Sequence, residues 1–159
     1  MQRTRVAAEA HSRLERVYRQ HGARLWRAVL MFAGDPDVAS DAVAEAFAQA
    51  LRRGAALRDP ERWVWKVAFR IAAGELKERG RAAPMTTEAA YSIPEETIEV
   101  AHALESLSPK QRMSVVLHYF GDLPVRDVAR VLGSTSAAVG VHLHRGRAKL
   151  RTLLEAHDG

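Results

Sequence analysis

The stretch Asp127–Leu150, "DVARVLGSTSAAVGVHLHRGRAKL", holds two short helical patterns with Gly133 lodged between them. Ala129 is small, as a close crossing of two helices requires. Gly133, four residues on, suits the left-handed backbone that a sharp turn demands. Val139, six further on, returns a branched side chain to a shared core, and Leu143 and Leu150 continue that inner face. This is the layout of a helix-turn-helix, whose second helix enters the major groove of duplex DNA. A plain helical hairpin with a charged surface has the same spacing, so the rest of the chain has to decide.

The second helix presents Ala137, Ala138, Val141, His142 and Arg145 outward, with Arg147, Lys149 and Arg151 placed to meet a DNA backbone. Ser134 or Ser136 is expected to cap it and to offer its free N–H groups to a phosphate. Ala137, Ala138 and Val141 can meet thymine methyl groups only, which leaves His142 and Arg145 as the hydrogen-bonding readers. His142 and His144 stand two apart and point to different helix faces, so no metal site is expected.

Charge is uneven along the 159 residues. Residues 1–81 contain 16 Lys/Arg and 10 Asp/Glu, residues 82–108 five Glu and no cation, and residues 109–159 eight Lys/Arg and four Asp/Glu. Two basic blocks therefore flank an acidic stretch, "MTTEAAYSIPEE", bounded by Pro84 and containing Pro94. Two small helical domains, 1–81 and 100–159, joined by a flexible linker over 82–99, are the simplest organisation. A basic balance favours a polyanionic partner.

Helical periodicity runs through the first block. Leu14, Val17, Tyr18, His21, Leu25, Val29 and Phe32 follow a period near 3.6, and "GDP" stops that helix. Asp35 and Pro36 give a cap and first position for a second helix reaching about Arg53; Asp59 and Pro60 repeat the signal for a third. In the second block Ser108, Pro109 and Gln111 form a capping box for a helix to about Phe120. Further helices are expected over Val125 to Leu132 and roughly Thr135 to Leu154. No segment alternates with period two. The fold class is all-α.

The third helix, "ERWVWKVAFRIAAGELKERGR", has an apolar stripe of Val64, Val67, Ala68, Ile71, Ala72 and Leu76, with Arg62, Lys66, Arg70 and Lys77 opposite. Trp65 and Phe69, four apart beside those cations, have the composition of a single-strand platform: rings stack bases while cations follow phosphates. Trp63, at the other margin, fits a core edge.

Other classes are disfavoured. With no Cys there is neither a disulfide framework nor a thiolate zinc site. No apolar run approaches the roughly 20 residues of a membrane span, and "MQRTRVAAEAHSRLERVYRQ" lacks the apolar core of a signal peptide. A cytoplasmic protein without membrane insertion is expected. No cluster has the spacing of a metal site, a nucleophile–base pair or a phosphate-cradling loop, so the expectation is no enzyme, no cofactor and no small-molecule substrate.

Taken in order, these pieces resemble bacterial RNA polymerase sigma factors of the extracytoplasmic-function (ECF) group. "VYRQHGARLWRAVLMFAGDPDVASDAVAEAFAQAL" is similar to the family's first conserved stretch, and "RDPERWVWKVAFRIAAGELKER" to its promoter-melting helix. "ALESLSPKQRMSVVLHYFGDLPVRDVARVLGSTSAAVGVHLHRGRAKLRTLL" resembles its upstream-promoter reader. The resemblance implies core RNA polymerase, promoter DNA and an anti-sigma factor as partners. It implies polymerase docking through Asp41, Glu45, Phe47 and Gln49. Arg62, Trp65, Lys66, Phe69 and Arg70 would take the unwound −10 strand. Ser134, Ser136, Ala137, Ala138, Val141, His142, Arg145, Arg147 and Lys149 would take the −35 duplex. Asp41 and Glu45 lie on one helix face with no neutralising partner foreseen in that helix. Departures fall at Ala44, where the family has Gln, at Phe69-Arg70, where Arg-Asn is frequent, at Gly74, at Arg126, and at "VGV" in the recognition helix, where Val-Lys-Ser is common. That depleted face leaves an alternative, a sigma-like protein that occupies an anti-sigma factor without driving transcription.

Overall fold

The computed structural model describes residues 1–79, 91 and 93–158, all helices and connections with no strand among them. Most of the expected linker therefore lies outside the described residues. In chain order come α1 (Gln2–Ala33), α2 (Pro36–Arg53), a 3₁₀ turn (Gly54–Ala56), α3 (Pro60–Glu78), α4 (Glu95–Leu104), α5 (Pro109–Val115) running into a π turn (Val116–Phe120), α6 (Val125–Leu132) and α7 (Ser136–Asp158). The all-α expectation holds. Two boundaries differ: α1 begins near the N-terminus, well before the apolar period that opens at Leu14, and α4 starts inside the expected 82–99 linker. The added first turns of α1 are almost wholly exposed, so they follow helix propensity and leave no apolar period to read.

Local chemistry sets the helix ends. Gly34 takes the left-handed conformation at φ 74° and closes α1. Asp35 then caps α2, its Oδ1 accepting from the N–H groups of Asp37 at 2.8 Å and Val38 at 3.4 Å, while Arg79 at the end of α3 donates to its Oδ2 at 2.9 Å. Burial alone would raise the Asp35 pKa, but the two backbone N–H groups and Arg79 outweigh it and hold the carboxyl below its ordinary value. A depressed folded pKa means stability that is present above the unfolded carboxyl's range and lost as pH falls through the folded value. Asp35→Ala is expected to cost about 1 kcal/mol at neutral pH, and its difference from the parent should shrink in acid-titrated thermal melts. A constant difference down to the acid transition would contradict this.

The helices form one continuous core. Leu25, Val29 and Phe32 of α1, Ala42 and Ala46 of α2, and Val64, Ala68 and Ala72 of α3 pack together, and the same cluster runs on through Leu104, Val116, Leu117, Val128 and Val139. The two basic blocks thus close on each other, with α3 in contact with α6 and α1 in contact with α4, α5 and the π turn. Arg112 ties the seam. Nearly buried, it donates to the carbonyls of Leu104, Glu105 and Leu107 around the α4–α5 junction and, at 3.0 Å, to Phe32 at the end of α1. Desolvation pulls its pKa down, partly offset by the charge of Glu105.

Candidate nucleic-acid interface

The α6–turn–α7 unit has the expected geometry. Gly133 sits at φ 62°, and the Ser134 N–H reaches back to the Ala129 carbonyl at 2.9 Å, the six-to-one bond of a Schellman turn. Ala129, Val139 and Leu143 are buried as read. The cap differs: Thr135, not Ser134 or Ser136, accepts from the Ala138 N–H at 3.1 Å, and its carbonyl takes the Val139 N–H. In a run of three hydroxyl residues, the Schellman turn fixes which one stands one turn ahead of Ala138. Ser134 and Ser136 are exposed beside it, and Ala138 is half-buried.

Along α7 the buried stripe is Val139, Leu143 and Gly146. Gly146 lets α7 approach closely, because a Cβ there would meet Val115 Cγ2 at 3.0 Å. Opposite this stripe the exposed positions are Ala137, Val141, His144, Arg145 and Ala148. His142 is half-buried at the flank of the stripe, which corrects its assignment as an outward reader; His144 occupies the solvent face instead. Arg145 is exposed. Arg147 donates to the Tyr119 hydroxyl at 2.8 Å, and Lys149 donates to the Ser106 carbonyl. Both cations are thus held at the margin of the helix.

On α3 the structure corrects the expectation of an open stacking platform. Trp65 is 2% exposed and Phe69 0%. The two rings stack at 6.1 Å, and Phe69 meets Phe32 at 5.7 Å. Trp65 is covered from both blocks: a Cβ on Gly121 would stand 3.0 Å from its ring, and the Arg24 guanidinium of α1 lies 5.7 Å over it. Arg24 in turn donates to the Phe120 carbonyl and, at 2.7 Å, to Asp122. Arg62 places Nη1 3.0 Å from Asp127 Oδ2, and Arg70 donates to the Arg130 carbonyl at 2.9 Å. Lys66 is half-buried. Arg62, Trp65, Lys66, Phe69, Arg70 and Ala73 fall at i, i+3, i+4, i+7, i+8 and i+11, one continuous face. Arg62, Trp65 and Arg70 on that face carry contacts to α6 and to Gly121, just after the π turn. Trp63 is half-buried under Arg53 at 5.3 Å, a core edge as read.

On α2, Asp41 and Glu45 are exposed on one face, while Phe47 is buried with the Tyr18 ring edge-on at 5.1 Å. Phe47 is therefore no docking side chain in this arrangement: two residues past Glu45, it turns to the core. Gln49 is half-buried and donates to Glu45 at 3.0 Å, and Arg52 pairs with the same carboxylate at 3.1 Å. These two bonds, Gln49 first, lower the Glu45 pKa. The expectation of an unneutralised pair thus fails at Glu45 and stands at Asp41, which takes no bond from another described residue. Among the described residues no group of acids and histidines has the arrangement of a metal site, and no helix is long and apolar enough to cross a membrane.

The family description "Sigma-70, region 4" matches residues 97–150, the segment that contains the helix-turn-helix. Similarity to curated proteins extends over the whole chain. It is 27% identical to the ECF RNA polymerase sigma factor SigL of Mycobacterium tuberculosis, with 98% of this chain and 97% of that one aligned. Over residues 97–150 the chain matches sigma-70 region 4, and along its length it is similar to ECF sigma factors. The probable ECF sigma factor SigI of the same organism is 29% identical across 88% of this chain, which spans only 55% of SigI's length. Thus the chain covers about half of one such relative and nearly all of another. Among solved structures, CnrH in complex with the cytosolic domain of CnrY aligns over 95% of this chain and 96% of that one, with a TM-score of 0.67 and 28% identity. RpoE of Bartonella quintana, in complex with the anti-sigma factor NepR, shares the fold at a TM-score of 0.70, 17% identity, and coverage of 91% and 96%.

Proposed function

We propose that the chain is an ECF sigma factor that binds core RNA polymerase and directs promoter-specific initiation in the cytoplasm, with residues 1–81 serving the polymerase and the −10 strand and residues 100–159 reading the −35 duplex. The observation that supports this most is the outer face of α7, which is exposed among the described residues and flanked by Arg145, Arg147 and Lys149. A helix of this kind behind a Schellman turn suits a major groove. On it Arg145 and His144 are the base readers, and Arg147 and Lys149 the phosphate anchors. The strand face on α3 is assigned to Arg62, Trp65, Lys66, Phe69 and Arg70, of which Trp65 and Phe69 are buried in this arrangement. An anti-sigma factor is proposed as a further partner, since solved relatives of this fold include a complex with one.

The alternative, a decoy that only occupies an anti-sigma factor, gains from the small side chains of Ala137, Gly140 and Val141. It gives no reason for the cations that flank them. Run-off transcription with purified core polymerase over a promoter library tests the proposal, and a chain that binds polymerase but selects no promoter would leave the decoy. Polymerase docking is assigned to the exposed α2 face. Asp41→Lys with Glu45→Lys is expected to weaken co-purification with core polymerase at least about tenfold, since like charges at an interface cost several kcal/mol. Helical content should not change, as both side chains point to solvent. Undiminished co-purification would remove the assignment.

A further inference from the structure

We propose that the seam between the two blocks holds a binding site for a small amphiphilic carboxylate, a medium-chain fatty acid being the simplest ligand of that class. The site is a cleft of about 460 Å³. Both α3 and α5 line it, yet these two helices make no extensive contact with each other among the described residues. Its walls are apolar: Phe32 from the end of α1, Leu76 from α3, Met113 from α5 and Leu132 from α6. Sites for small ligands span roughly 300–1,000 Å³ and pair such walls with a few polar groups that fix orientation. A methylene chain laid against these walls gains about fourfold in affinity per CH₂ group.

The charged groups at the cleft are all of one sign. Lys77 lines it from α3 and Lys110 from α5, no acid lines it, and neither ammonium takes a partner among the described residues. Arg112 is the third cation there, and it is nearly buried. Four of its five N–H groups go to the carbonyls of Leu104, Phe32, Glu105 and Leu107. The remaining one, on Nη1, meets no acceptor among the described residues. Glu105 offsets the buried charge only in part. An anion at the cleft would complete that compensation, whereas an amine would add to the excess. A carboxylate suits the place better than a phosphate monoester, whose charge of roughly −1.5 to −2 costs more to remove from water. The apolar walls then ask for an apolar body behind the head group.

The walls come from both blocks, α1 and α3 on one side and α5 and α6 on the other. A ligand held by all four helices binds only chains whose blocks are closed on each other, so its concentration biases their separation. The inference goes beyond the initiation reading and does not depend on it, since binding is measured without polymerase.

The test titrates decanoate, below its micelle concentration, into the full chain by calorimetry. Decanol and decylammonium carry the same apolar body on a different head. One-to-one saturation by decanoate is expected, with decanol at least about fivefold weaker and decylammonium weaker still. At a hundredfold excess over its Kd, decanoate should raise the thermal midpoint by about 5–10 °C. Affinity should climb from hexanoate to decanoate and level off before tetradecanoate, where the walls end. Ala73→Leu places a larger side chain in the cleft and should weaken decanoate at least about tenfold. Lys77→Gln with Lys110→Gln, both at exposed positions, should cut the preference for decanoate over decanol at least about threefold while decanol affinity moves less than about twofold.

No saturable binding of decanoate, or equal binding of decanol or decylammonium, would overturn the proposal. So would unchanged decanoate affinity in Ala73→Leu, or a fourfold gain per CH₂ that runs on through tetradecanoate. A second copy seated in the cleft would appear in sedimentation as a dimer that Ala73→Leu dissociates, and that result also overturns it. Should Ala73→Leu unfold, the exposed lysine pair decides: a carboxylate preference retained in full there places the binding elsewhere and retires the site.

Discussion

Arg112→Met is expected to lower the stability of the whole chain by about 3–5 kcal/mol, the largest effect foreseen for a single substitution. Met retains much of the volume, so the loss isolates the hydrogen bonds rather than a cavity. The guanidinium donates to four carbonyls, those of Leu104, Glu105 and Leu107 and, across the seam, Phe32. Each buried acceptor left unsatisfied costs about 1–3 kcal/mol, with charged donors at the upper end. Part of this is recovered because burying a guanidinium is itself unfavourable, a cost the Glu105 charge offsets only in part. For a chain of this size the thermal midpoint should fall by about 10 °C. Arg112→Lys should recover only a fraction, since one ammonium cannot span acceptors on three sides. A midpoint within about 2 °C of the parent for the Met variant would show that these bonds are replaced by water.

None of that was legible in "SPKQRMSVVLHYF". Arg112 reads there as an ordinary cation in the first turns of a helix, because its partners are main-chain carbonyls and one of them is 80 residues away. What sequence did disclose was local. Asp35–Pro36, Asp59–Pro60 and the Ser108–Gln111 box each fixed a helix start through side-chain bonds to adjacent backbone. Gly133 fixed the turn through its backbone freedom. The α3 face failed for a physical reason: an aromatic and cationic margin has the same composition whether it meets bases or another helix. Periodicity identified the stripe facing α1 and α2, and it carries no signal that a second face of the same helix is covered by residues 60 positions on. Phe47 failed in a simpler way, since a spacing of two from Glu45 already places it on another face of α2.

The second large effect concerns α7, where position on the helix separates three roles. Arg145 is exposed, makes no bond to another described residue, and flanks the Ala137–Val141–Ala148 line with His144 on its other side. Those three side chains are too small to read a base edge by hydrogen bonding, so discrimination falls to the two flanking groups. Arg145→Ala is therefore expected to relax preference at one or two base pairs by about 1–3 kcal/mol, roughly five- to 150-fold, in selection from a randomised upstream element with holoenzyme. His144→Ala should relax a neighbouring position by less, since imidazole makes a single contact. His142→Ala should leave the preference profile unchanged and instead shift the melting temperature, because that ring is half-buried beside Leu143. Lys149 is held by the Ser106 carbonyl at the helix margin. Lys149→Ala should weaken every site about equally and reduce the salt slope by about one. If His142→Ala changed base preference while His144→Ala did not, α7 would meet the groove through a different face from the one that stands open in this structure. The buried stripe of Val139, Leu143 and Gly146 would then have to shift against α5, where the Gly146 contact with Val115 leaves no slack.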